Sequence, residues 1–180
     1  MAAEQRPCAA AGITLRPARL EDASSLAALS IEVWLGTYLR RGVNGFFAGY
    51  VFSELTPTRM AEHLQRESET FIVSQNAEGI DGFIRLSHGN RPPAGTGSAL
   101  EIATLYVQPR HHGRGLGKAL LLAGLQQAQE RGAPHPWLTT NAKNTNAINF
   151  YQSQGFMITC TTEFCIGDQA YPNTLLTYHS

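Results

Sequence analysis

The stretch LYVQPRHHGRGLGKALL, Leu105 to Leu121, joins two periodicities across three glycines. The residues leading into it, ALEIATLYV, read as a strand. The residues following it place Leu116, Ala119, Leu120 and Ala123 on one helical face, which predicts a helix over Leu116–Arg131 ended by Gly132. At the handover Gly113, Gly115 and Gly117 alternate with other residues. Glycine loses more backbone freedom on folding than any other residue, so this spacing has a conformational cost. N–H groups at a helix start lack helical partners, and the helix dipole places positive potential there. Glycines let the chain curl so that several N–H groups point at one anion. His112–Lys118 therefore predicts a phosphate cradle, with Arg114 and Lys118 adding charge. A tight turn that merely needs glycine is the plainer use of the same residues.

Outward from this point, ITLRPAR is a predicted first strand with Ile13 and Leu15 on one face. A helix follows over Glu21–Leu39, with Leu26, Leu29, Val33 and Trp34 together. VNGFFAGYVFSEL is aromatic-rich without clear period and reads as short helical turns or a loop. Thr56 caps a further helix with Pro57 at its first position. TFIVSQ and IDGFIRLSH are adjacent strands joined by a turn around Asn76–Gly79, and NRPPAGTGS is a loop by composition. After the glycine stretch come a strand, PWLTTN, and a helix over Asn144–Gln154 capped by Asn144 or Asn146 and stopped by Gly155. Two strands around Gly167–Asp168 complete the chain. The order is a mixed α+β sheet and not a regular strand–helix alternation.

The bulk numbers exclude several classes. With 180 residues, 43% apolar and 16% charged, the chain suits one globular domain, expected over 12–180 behind a flexible tail at 1–11. Lys+Arg and Asp+Glu both number 14, so the balance gives no sign of nucleic-acid binding. No run approaches a membrane span and the start lacks the pattern of a secretory signal, so the expected compartment is the cytoplasm. Cys8, Cys160 and Cys165 are odd in number and show no metal spacing. They are expected as small buried apolar residues, and no metal is expected.

Two phosphate-binding patterns fail on the residues. The ATP loop needs a glycine where His112 stands and a hydroxyl where Ala119 stands. The dinucleotide fingerprint needs a last glycine where Lys118 stands. HGRGLGKALL instead resembles the acetyl-coenzyme A loop of the GNAT N-acetyltransferase superfamily, patterned Q/R-x-x-G-x-G/A. Here it runs His112, Gly113, Arg114, Gly115, Leu116, Gly117, with His in place of Gln or Arg. NTNAINFYQSQGF resembles the same family's second signature, N-x-x-A-x-x-F-Y followed by G-F, about thirty residues further on. Element order extends the likeness from Ile13 onward.

The resemblance implies a mostly antiparallel sheet of about seven strands with about four helices, splayed at the acetyl-CoA site. It implies that Leu105, Tyr106 and Val107 offer backbone hydrogen bonds to the pantetheine arm. Residues 113–118 hold the pyrophosphate, His111 and His112 flank it, and Asn144 contacts the cofactor. Tyr151 lies by the thioester sulfur as the acid that protonates the departing thiolate; its bland alternative is a buried aromatic paired with Phe150. Glu101, eleven residues before His112, stands where some members carry a glutamate base. Its alternatives are an exposed strand residue or an ion-pair partner, with another residue or a water path taking the proton.

Trp34, Thr37 and Tyr38 resemble a W-x-x-T-Y pattern found in one functionally mixed branch of that superfamily. Phe46, Phe47, Tyr50 and Phe52 either line an acceptor pocket or pack the aromatic segment onto the sheet. The partners implied are acetyl-CoA and an amine acceptor, a small molecule or a peptide or protein N-terminus, with a homodimer left open. The rival is a coenzyme A-binding sensor or scaffold whose catalysis has lapsed; retention of Glu101 and Tyr151 argues against it.

Overall fold

Strands β4 (Leu100–Val107) and β5 (Trp137–Asn141) lie side by side and parallel, yet they pair at a single position, Glu101↔Trp137. Beyond that point they diverge. The computed structural model describes residues 12–39, 41–93, 95 and 97–179. The expected tail and Cys8 lie outside the described residues.

Around the divergence runs one seven-stranded sheet in the order β1-β2-β3-β4-β5-β7-β6. Its other strands are β1 (Thr14–Pro17), β2 (Glu69–Gln75), β3 (Ile80–His88), β6 (Phe156–Ile166) and β7 (Gln169–Tyr178). Every pairing except β4–β5 is antiparallel. The β3–β4 ladder steps from Arg85↔Thr104 to Leu86↔Ile102, so Ala103 is an extra residue, a bulge that bends β4 beside the divergence. The expected α+β sheet, mostly antiparallel and splayed, is the fold observed.

Helices cover both faces. α1 (Ala23–Tyr38) and α3 (Pro57–Leu64) bury Leu26, Leu29 and Met60 against Phe71, Val73 and Phe83. Thr56 caps α3 as expected, its hydroxyl accepting from the Arg59 N–H at 3.2 Å. On the other face α4 (Leu116–Glu130) buries Leu116, Leu120, Leu121, Gly124 and Ala128 against Ile84, Leu86 and Leu138. Ala119 and Ala123, expected at the centre of that stripe, are half-buried at its edge. The aromatic segment is a full helix, α2 (Gly45–Glu54), and so adds to the helices expected. Asn44 caps it by accepting from Phe47 N–H at 3.0 Å. α2 packs on Trp34, whose ring stacks on Tyr38 at 4.6 Å and on Tyr50 at 5.0 Å.

The cysteines differ from expectation. Cys160 is half-buried and Cys165 exposed, both as free thiols, because they lie on β6 at the open edge of the sheet. Among the described residues no helix is long and apolar enough to cross a membrane.

Close approach of α4 to β3 has a measurable consequence. A Cβ built on Gly124 would sit 2.5 Å from Cδ1 of Ile84 and 3.5 Å from Cδ2 of Leu86. Both neighbours are fully buried, at 0% exposure, so the Ile84 side chain must shift within a packed core. Gly124→Ala gains about 1 kcal/mol of helix propensity but overpacks the core by about 1–3 kcal/mol. The expected outcome is a net loss of about 1 kcal/mol, or a melting temperature lower by about 2–4 °C. A melting temperature equal to or above that of the parent would show that Ile84 moves aside.

Candidate functional site

The glycine loop sits at the mouth of the divergence. Gly113 and Gly115 adopt φ of 76° and 83°, the left-handed region that costs little only for glycine. Gly115 is the N-cap of α4 and offers no side-chain cap. The first helical bond runs from Ala119 N–H to the Gly115 carbonyl at 2.9 Å. Among the described residues, the N–H groups of Gly113 to Lys118 find no protein acceptor, as a cradle for an external anion requires. A Cβ on Gly113 or Gly115 would meet nothing within 4 Å, so the space beside them is open. Arg114 and Lys118 are exposed, and among the described residues neither pairs with a carboxylate. Gly117 is different. Its φ is not positive, and a Cβ there would make ordinary contact with the end of Phe150 at 3.7 Å.

The two adjacent histidines turn back onto the protein. His112 Nε2 donates to the Val107 carbonyl at 3.0 Å, tying the loop to the end of β4. One backbone group expected to serve the pantetheine arm is therefore already engaged. From Ile102 to Val107 β4 has no β5 partner, so its backbone groups facing the divergence lack a strand neighbour. Leu105 and Val107 register with Ile84 and Gly82 on the β3 side, and Tyr106 with Phe83.

Tyr151 lies on α5 (Thr145–Ser153). Asn144 caps that helix, its carbonyl oxygen accepting from Ala147 N–H at 3.2 Å, which leaves the amide nitrogen for a ligand. Tyr151 is 8% exposed and packs in one cluster with Val107, Leu116 and Leu138, the walls of the divergence. Phe150 and Phe156 flank its ring at 5.3 and 5.6 Å. Burial holds its hydroxyl well above the ordinary tyrosine range, so it stays protonated at neutral pH. Tyr106 is raised in the same way, first by burial and then by neighbouring tyrosines, Tyr151 among them.

Glu101 occupies the point where β4 and β5 still touch. It is half-buried, and its Oε2 accepts from Asn90 Nδ2 at 2.8 Å. Asn90 in turn receives the indole N–H of Trp137 on its carbonyl at 3.1 Å. The loop composition of NRPPAGTGS gave no signal for this contact. Glu101 thus sits at the closed end of the divergence, whereas Tyr151 clusters with Val107 and Leu116 beside the glycine loop.

The residues of the aromatic segment differ in their surroundings. Phe46 and Tyr50, with Glu54, line a cleft of about 480 Å³ between α2 and the β6–β7 turn at Ile166 and Gly167. Phe47 packs on Trp34 and Tyr171, and Phe52 is 74% exposed. Burial and then the Glu54 carboxylate push the Tyr50 hydroxyl up to about 12, which keeps it a neutral donor at the cleft wall.

Comparison with known proteins agrees with this geometry. Residues 37–156 match the model of the acetyltransferase (GNAT) family. An uncharacterised N-acetyltransferase of Mycobacterium tuberculosis is 29% identical over 148 residues, spanning 82% of this chain and 91% of the relative. Streptothricin acetyltransferase of Streptomyces lavendulae is 32% identical over 96 residues, 53% of this chain and 48% of that protein. Among solved structures, PaiA N-acetyltransferase of Thermoplasma acidophilum in complex with coenzyme A superposes with a TM-score of 0.76 at 20% identity. That superposition covers 93% of this chain and 99% of that one. YncA of Salmonella typhimurium, a putative acetyltransferase solved with acetyl-CoA, superposes with a TM-score of 0.66 at 19% identity over 93% of both chains.

Proposed function

This chain belongs to the acetyltransferase (GNAT) family, and from that membership we propose that it moves an acetyl group from acetyl-CoA to a primary amine by direct attack. The acceptor is a small molecule or a peptide or protein N-terminus. The observation that carries the proposal is the glycine loop: unpartnered N–H groups around Gly113 and Gly115, at the start of α4, beside a strand pair open on one side. The pyrophosphate belongs on those N–H groups with Arg114 and Lys118 beside it. The pantetheine arm belongs along Leu105–Val107, where β4 has lost its β5 neighbour. Two structural neighbours were solved with coenzyme A or acetyl-CoA, which supports the same cosubstrate here.

In the reaction the amine nitrogen forms a bond to the thioester carbonyl carbon. The tetrahedral intermediate collapses, the carbon–sulfur bond breaks and the thiolate leaves. The amine must lose a proton and the thiolate gains one. Tyr151, buried and protonated, is the donor to sulfur. Glu101, at the point where β4 and β5 still pair, accepts the amine proton directly or through water. The amine enters from the face carrying α1 and α2, where Phe46, Tyr50 and Glu54 line the cleft.

The test is thiol release from acetyl-CoA across a library of amines, amino acids and peptides. Release with at least one class establishes the transfer. Tight coenzyme A binding without release for any acceptor would mark a lapsed binding module. Glu101→Gln then addresses the base. Its half-exposed position lets water share the proton, so the expected fall in rate is about tenfold at neutral pH, below the range of about 10²–10⁴ for an unassisted loss. The deficit should shrink as rising pH supplies neutral amine. An unchanged rate at neutral pH would remove Glu101 from the chemistry.

A further inference from the structure

His111, the residue before the loop's first position, turns its ring into the protein. Its side chain is 17% exposed and that of Asp81 is 9%. His111 Nδ1 lies 3.5 Å from Asp81 Oδ2, an ion-pair distance slightly longer than a hydrogen bond. Asn76 Nδ2 donates to the same Oδ2 at 2.9 Å. His111 Nδ1 and Asp81 Oδ1 are both buried, and among the described residues neither has a hydrogen-bond partner. A buried carboxylate oxygen left without a donor is costly, and so is a buried imidazole nitrogen. Nδ1 approaches Oδ2, the oxygen that Asn76 already serves, and the imidazole is the group, cationic when protonated, that lies at ion-pair distance from this carboxylate.

The main chain runs the same way. Asp81, near the start of β3, accepts from Gln108 N–H on its own carbonyl at 2.9 Å. Gln108 Nε2 reaches across to Glu32 Oε2 of α1 at 3.1 Å, and Arg110 lies 3.6 Å from the other oxygen of that carboxylate. His111 N–H and His112 N–H close the turn onto the carbonyls of Gln108 and Pro109. The segment entering the glycine loop is thus strung between β3, α1 and β4, and the Asp81–His111 contact is its buried side-chain tether.

We infer that Asp81 and His111 form an anchor that sets the direction of the glycine loop and thereby its affinity for the cofactor's phosphates. They are positioning residues: neither side chain is placed to touch the ligand. The inference rests on the loop being the phosphate site. With the anchor cut, the loop spends only part of its time in the binding conformation, and the apparent dissociation constant rises by the inverse of that fraction.

The experiment is calorimetric titration of the full chain with coenzyme A. Asp81→Asn and His111→Leu are each expected to weaken binding about tenfold, and the double variant no further than about tenfold, because one link is lost in all three. His111→Asn, whose amide N–H stands where Nδ1 stood, should recover affinity to within about threefold of the parent. On any amine the library turns up, KM for acetyl-CoA should rise with kcat unchanged, since the pair does not act on the reacting atoms. Unchanged affinity in His111→Leu, single losses that multiply in the double variant, or failure of Asn to rescue would each overturn the anchor. Should Asp81→Asn not fold, the His111→Leu and His111→Asn pair decides alone. Gly115→Asp, measured in parallel, separates the two levels. If it keeps its affinity, the loop is not the phosphate site and the function proposed above falls with it. If it loses affinity while His111→Leu does not, only the anchor falls.

Discussion

Gly115→Asp is expected to abolish coenzyme A binding in a chain that still folds. Gly115 is the N-cap of α4 at φ 83°, and a Cβ there would meet no protein atom within 4 Å. The substitution therefore clashes with nothing inside the fold. Its cost is the left-handed backbone, about 1–2 kcal/mol for a residue with a Cβ, and aspartate is among the residues that tolerate it best. Its carboxylate is also a preferred N-cap, so it turns toward the N–H groups that await the pyrophosphate. Ligand and side chain then compete for the same donors, and their like charges repel. Hydrogen bonds to charged groups are worth about 1.5–3 kcal/mol each, so losing two of them weakens binding by at least about a hundredfold. Gly115→Ala carries the backbone strain without the charge and should lose far less. Calorimetry on a folded Gly115→Asp variant that binds coenzyme A like the parent would show that the phosphates lie elsewhere.

That loop was legible in the sequence because its signal is local. Only glycine takes φ near 80° cheaply, and two of the three alternating glycines, Gly113 and Gly115, adopt it between the strand pattern and the helix pattern. Glu101 was singled out only through the family resemblance, which places a glutamate eleven residues before the loop in some members; its role is for the rate measurement to decide. The helix over the aromatic segment was not legible. Phe46, Phe47, Tyr50, Val51 and Phe52 surround α2 with apolar side chains, so no 3.6-residue period stands out. What makes it a helix is the Asn44 cap together with burial against Trp34, a residue of a different helix. Contacts set by tertiary packing escaped for the same reason. The His112 bond to Val107, the Asn90 bond to Glu101 and the facing of His111 and Asp81 depend on where side chains turn once distant strands have met. Composition reports none of that. The exposure of Cys165 belongs here too, since small apolar character predicts burial only where a strand has a covered face.

Tyr151→Phe is the sharper test of the chemistry, because it removes one oxygen and little else. Tyr151 packs between Phe150 and Phe156 and in the cluster of Val107, Leu116 and Leu138, and phenylalanine preserves those contacts. Coenzyme A affinity and melting temperature should therefore change little. The rate should not. Burial keeps the hydroxyl protonated well above the ordinary tyrosine range, so a donor is always present at neutral pH. The same burial makes full proton transfer uphill, since thiols ionise near about 8.5, below a phenol at about 10. Its contribution is then a hydrogen bond that strengthens as negative charge grows on sulfur, completed by transfer only as the thiolate departs. That places the expected loss near about 10², the low end of the range of about 10²–10⁴ for general acids. Because the interaction grows in the transition state, kcat should fall while KM for acetyl-CoA stays put. Turnover within about threefold of the parent, far below that range, would make Tyr151 a packing residue and leave solvent to protonate the thiolate. If kcat and cofactor affinity fell together, the hydroxyl would be holding the cofactor in place, and the acid would have to be sought elsewhere along the divergence, with Tyr106 the next phenol in line.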